Sequence, residues 1–129
     1  MDYPIETLDL EPRDGFNLYF ELRNDNYTSP DEYDCYTPKQ IEAWREDKWH
    51  YGIVTVRACA GGVELGSDAI GGVEFGHFLI TDDNDNPVKT VWVWIEDLAK
   101  DYAEQLIPGA INHALNTISM IEKQIGDNK

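Results

Sequence analysis

The densest run of oxygen ligands in this 129-residue chain is Asp82-Asp83-Asn84-Asp85-Asn86-Pro87. Such a run invites a calcium reading, because hard cations take carboxylate and amide oxygens. The EF-hand loop tests it: oxygen ligands belong at positions 1, 3, 5 and 12, with Gly at 6. Counted from Asp82, position 6 is Pro87 and position 12 is Val93, so the turn glycine and the bidentate Glu are both missing. Counted from Asp83, position 5 is Pro87. A solvated acidic turn is the reading that remains, beside a looser carboxylate metal site. His50, His77 and His113 occur in no HExxH, HxH or Cys/His cluster, which argues against zinc. Gly66-Ser67-Asp68 lacks the second glycine and the strand-to-helix setting of a nucleophile elbow. The glycines at 61, 62, 66, 71, 72 and 76 are followed by no Lys in phosphate-loop spacing. No catalytic residue, cofactor or metal is assigned.

Charge carries the positive signal. Asp and Glu number 25 against 10 Lys and Arg, a formal net charge of −15. The excess is concentrated: residues 1–47 hold 13 acids and 4 bases, and residues 82–104 hold 7 acids and 2 bases. A surface of this sign repels nucleic acid and anionic membranes and draws basic surfaces from a distance. Direct nucleic-acid binding is excluded on sign, since no basic stripe interleaves with aromatics. Asp31, Glu32, Asp34, Glu42, Glu46 and Asp47 fall in or beside one predicted helix, and with Asp82, Asp83 and Asp85 they form the candidate partner-binding set. Glu42 and Glu46 are four apart, about 5–6 Å between Cβ atoms on one helix face, with Arg45 placed to relieve Glu42. Carboxylates in such rows can stand in for DNA phosphates before a Lys- and Arg-lined groove. The plain alternative is that the acids only keep a small protein dissolved, in which case recognition falls to apolar residues such as Trp92 and Trp94.

These residues need a scaffold, and the chain can build one. At 129 residues with 42% hydrophobic and 12% aromatic content, it suits a single domain with its own core. Residues 1–15, acidic and broken by Pro4, Pro12 and Gly15, read as an extended lead-in. Phe16, Leu18, Phe20 and Leu22 alternate with Asn17, Tyr19, Glu21 and Arg23, the period of a half-buried strand over 16–23. Residues 24–36 read as a loop. Thr37-Pro38-Lys39-Gln40 is a helix start with a capping box, and the helix runs to about Asp47. Strands follow at 49–60, 63–70 and 73–81, with Gly61-Gly62 and Gly71-Gly72 as turns. Residues 88–95 read equally as a short strand or as the first turns of a helix. Helical periodicity covers 96–107, and after Pro108-Gly109 a second stripe of Ile111, Leu115, Ile118, Ile121 and Ile125 ends at Gly126. The expected fold is α+β: an antiparallel four-stranded sheet with one face covered by C-terminal helices, plus a short helix near 38–47. Leu98, Ile111, Leu115 and Ile118 are expected in its core.

Cys35 and Cys59, 24 residues apart with no CxxC, read as two unpaired thiols rather than one disulfide. No signal peptide or apolar run of membrane length is legible, so the expected location is the cytoplasm.

Three segments carry a resemblance: Ile41-Glu42-Ala43-Trp44-Arg45-Glu46-Asp47-Lys48-Trp49, Gly62-Val63-Glu64-Leu65-Gly66-Ser67 and Gly72-Val73-Glu74-Phe75-Gly76. Over residues 16–80 the chain resembles a group of small acidic bacteriophage-encoded accessory proteins, themselves functionally uncharacterised. The resemblance implies a protein that binds and blocks a host protein, including nucleic-acid-handling defence machinery. Joined to the acidic rows, it leads to the expectation of a non-enzymatic phage or prophage inhibitor in the host cytoplasm that binds a basic host protein, such as a defence nuclease or CRISPR complex, by DNA mimicry. Two alternatives accompany it: an immunity protein neutralising a basic nuclease toxin, and, from a different class, a small enzyme or carboxylate metal-binding protein.

Overall fold

The computed structural model describes residues 4–127. It is α+β, with five strands in the order β1-β2-β3-β4-β5, each antiparallel to the next. The strands are β1 (Glu6–Arg13), β2 (Phe16–Asn24), β3 (Trp49–Ala60), β4 (Val63–Thr81) and β5 (Pro87–Val93). Helix α1 (Pro38–Arg45) interrupts the meander after a short 3-10 turn at Pro30–Glu32, and helix α2 (Ile95–Asp127) closes it.

The sheet therefore has five strands where four were expected. Part of the expected lead-in is β1, joined to β2 by Asp14-Gly15, whose φ angles of 54° and 85° give the twist a two-residue hairpin requires. Residues 63–70 and 73–81 are not two strands but one. Gly71 and Gly72 lie opposite Ile53, between the pairs Gly52–Val73 and Val54–Ile70, so they form a bulge and not a turn. β3 is long enough to pair with both halves, and the chain keeps its direction. Residues 87–93 resolve as strand β5, with Pro87 at its first position on the sheet edge, where a missing N–H is harmless.

α2 is one helix of 33 residues, not two helices broken at Pro108. Pro108 removes the hydrogen bond to the Glu104 carbonyl. Both residues are on the exposed side, where water takes the freed acceptor. At its start, the Asp97 carboxylate accepts the Trp94 N–H at 3.0 Å, and Glu96 and Asp97 meet the positive end of the helix dipole.

The two faces of the sheet carry different cores. On one, Phe16, Leu18, Phe20, Leu22, Val54, Val56, Val73 and Phe75 pack under Leu98, Ile107 and Ile111 of α2. Leu98 and Ile111 are buried as expected, but Leu115 is 49% exposed and Ile118 only half-buried. The seat of α2 on β4 is made instead by small residues: a Cβ at Gly66 would lie 2.3 Å from the Ala114 nitrogen. On the other face, Ala43 and Trp44 of α1 pack over Trp49 and Tyr51, together with Tyr36 of the preceding loop and Phe78 of β4. Trp49 is fully buried, stacks on Tyr36 at 5.3 Å, and donates its indole N–H to the Gln40 carbonyl at 2.9 Å. Beyond α1 the same face turns polar. Glu21, 3% exposed, is held by Arg57 at 2.7 Å and Arg23 at 3.0 Å. Among the described residues no helix is long and apolar enough to cross a membrane. Cys35 is exposed and Cys59 buried, and the two thiols are free.

Candidate acidic binding surface

Helix α1 organises the acidic end. Thr37 and Gln40 form the reciprocal capping box expected of them: the Gln40 N–H reaches Thr37 Oγ1 at 3.3 Å, and the Thr37 N–H reaches Gln40 Oε1 at 3.0 Å. Gln40 also donates through Nε2 to the Leu79 carbonyl at 2.9 Å, which ties the helix to β4. Glu42, Glu46 and Asp47 all stay exposed, directed away from the aromatic core. Asp47, just past the helix, takes a left-handed φ of 62°, a role glycine more often fills.

Two acidic segments remote in sequence are tied to this helix. Asp31, in the 3-10 turn, meets Arg45 at 3.5 Å. Arg45 is thus directed to Asp31, and not to Glu42 as expected. Asp85, in the β4–β5 turn, accepts the Lys39 N–H on Oδ2 at 3.2 Å, using an amide that the first turn of a helix leaves unpaired. Glu32, Asp34, Asp82 and Asp83 are exposed beside these anchors in the same two segments. Glu46 is paired with Lys48 at 3.2 Å, both well exposed.

The turn at 82–87 is held by its own carboxylates. Asp82 Oδ1 accepts the N–H groups of Asn84 and Asn86, each at 2.9 Å. Those amides hold the Asp82 carboxyl below its ordinary pKa. Asp85 Oδ1 is buried and has no hydrogen-bond partner. Among the described residues, no three His, Cys, Asp or Glu side chains converge as metal ligands do.

Sequence reasoning missed the polar pocket beside α1. It encloses about 400 Å³ and is lined by residues of the β2 end, the following loop, the C-terminus of α1 and the start of β3, including Asp25, Trp44, Arg45, Asp47 and His50. Asp25 fixes its wall. Its carboxylate accepts the Thr28 hydroxyl at 2.7 Å and the N–H groups of Gly72 at 2.9 Å and Tyr27 at 3.0 Å. Burial opposes the charge on Asp25, but these hydrogen bonds outweigh it and hold the carboxyl below its ordinary value. The available signal was Asp25 three residues before Thr28 in a turn-rich loop, a local side-chain-to-backbone pattern.

No protein-family model matches the chain, and no curated protein or solved structure is significantly similar to it.

Proposed function

We propose that this protein is a non-enzymatic binding module whose acidic end, built on α1, takes a basic protein surface of the kind that nucleic-acid-binding proteins present. The observation that carries the reading is the convergence of three separate acidic segments. The 3-10 turn reaches α1 through Asp31–Arg45, and the β4–β5 turn reaches it through Asp85 and the Lys39 amide. Their charges thereby act from one end of the molecule, and the field of a net −15 chain draws a basic partner toward it. A bacteriophage inhibitor acting by DNA mimicry is the specific form of this proposal that the sequence resemblance favours.

The test uses the intact chain as bait in lysate, followed by affinity measurements on the purified partner across ionic strength and against duplex DNA. Binding that weakens steeply with salt and is displaced by DNA supports the reading. Binding indifferent to both would replace it with recognition through apolar contacts.

A further inference from the structure

The apolar stripe of α2 does not end where the sheet ends. Up to Ala114 it is buried, with Ala110 and Ala114 completely covered. The same side of the helix then continues as Ile118, Ile121 and Ile125, flanked by Leu115 and Met120. Ile118 still touches the core, but every residue from 119 to 126 is exposed. Ile121 is 45% exposed, Ile125 58% and Met120 71%. At 1.5 Å per residue, residues 119–127 project about 14 Å, a helix of two to three turns with an uncovered hydrophobic side.

We propose that this projecting end of α2 is a dimerisation surface whose occupant is the same segment of a second copy, packed antiparallel about a two-fold axis. Charge selects that occupant. The chain carries −15, yet residues 110–126 contain one acid, Glu122, and one base, Lys123. Two copies repel each other through their acidic ends and meet here without net charge on either side. A basic partner is drawn to α1 and gains no such attraction from this helix. The stripe is also self-complementary, as a two-fold contact requires: Ile118 and Ile125 of one helix fall opposite Ile125 and Ile118 of the other when the axis passes between positions 121 and 122.

Salt dependence separates this contact from partner binding at the acidic end. Screening relieves repulsion between two negative copies, so dimerisation strengthens with salt, whereas partner binding weakens. Sedimentation velocity on the full chain is expected to show a dimer at micromolar concentration that grows with ionic strength. Ile121→Lys with Ile125→Lys is expected to weaken self-association more than a hundredfold, with an unchanged far-ultraviolet circular dichroism spectrum, because both positions are outside the core. Ile121→Cys in a Cys35→Ser background is expected to form an intersubunit disulfide on mild oxidation. A monomeric wild type at hundreds of micromolar in high salt overturns the proposal, as does a double variant that still dimerises or a Cys variant that does not cross-link.

Discussion

Gly66 of β4 lies directly beneath Ala114 of α2: a Cβ built on the glycine would fall 2.3 Å from the Ala114 nitrogen and 2.5 Å from the Ala110 carbonyl oxygen. Both obstacles are backbone, so no side-chain rotation relieves the clash. The helix is therefore seated on the sheet by an absent side chain, and the stripe of larger residues closes the core around that seat.

Gly66→Val should accordingly lift α2 from β4. Overpacking a close contact costs typically about 1–3 kcal/mol, and a contact with backbone belongs at the upper end. Urea denaturation should show the lower midpoint. Gly62→Ala, in the turn after β3 where nothing lies within 4 Å of the added Cβ, meets only the strain of its φ of +77° and serves as a control without helix contact. Equal losses from the two substitutions would refute the seating role of Gly66.

Stability should fall at both ends of the pH scale for identifiable reasons. Asp25 has a folded-state pKa below its unfolded value of about 3.9. Its contribution is complete above that value and is lost as pH falls through the folded one. Asp25→Ala should flatten the stability profile below about pH 4. Tyr51 behaves oppositely. Burial pushes its hydroxyl up to about 12, and burial together with Glu74, which accepts the Tyr36 hydroxyl, pushes Tyr36 up as well. Their contribution is present below an unfolded value of about 10 and is lost as pH rises through the folded ones. Alkaline absorbance titration should show two tyrosines ionising only as the fold is lost. Ionisation of all seven ahead of unfolding would contradict this.

The strand and helix content was largely legible because periodicity reports burial directly. Phe16, Leu18, Phe20 and Leu22 alternate and are buried together, and the Thr37–Gln40 capping box formed as its residue types demand. What was not legible depended on partners distant in sequence. Gly71-Gly72 is a turn or a bulge according to whether β3 extends far enough to pair on both sides. Pro108 is tolerated because it faces solvent. Leu115 has the spacing of a core residue, yet the sheet does not reach it. At the acidic end, the spacing of Glu42 and Glu46 was readable. The bond from the Lys39 amide to Asp85 was not, because nothing local places the β4–β5 turn against α1.

Calcium should bind the 82–87 turn no more tightly than millimolar. Besides lacking the turn glycine and the twelfth-position Glu, the turn holds three of its carboxylate oxygens in bonds or burial. Asp82 Oδ1 holds two backbone amides, Asp85 Oδ2 holds a third, and Asp85 Oδ1 is buried. A cation would have to break the turn in order to use them. Calorimetric titration resolving a micromolar site that disappears in Asp83→Ala with Asp85→Ala would show that the turn reorganises around metal.

Charge reversal on α1 bears most directly on function. Glu42→Lys with Glu46→Lys exchanges one like-charge pair for another, so helix stability should change by no more than about 0.5 kcal/mol. The exposed Glu46–Lys48 contact, at 3.2 Å, is lost in the exchange, and such pairs contribute at most about 1 kcal/mol. The fold should therefore survive, while affinity for a basic partner falls more than tenfold, about 1.4 kcal/mol or more. Arg45 supplies the opposite test. It is the base facing Asp31 at 3.5 Å, so Arg45→Gln should free that carboxylate and tighten binding severalfold, most at low salt, where the Debye length is longest. Affinities measured across ionic strength for both variants separate the two uses of the charge. If weakening by the Glu reversals and tightening by Arg45→Gln converge as salt rises, the acidic end is the binding surface. If neither variant departs from wild type at low salt, the charge only keeps the protein dissolved, and recognition moves to an apolar face such as the one around Trp92, 53% exposed and stacked on Trp94.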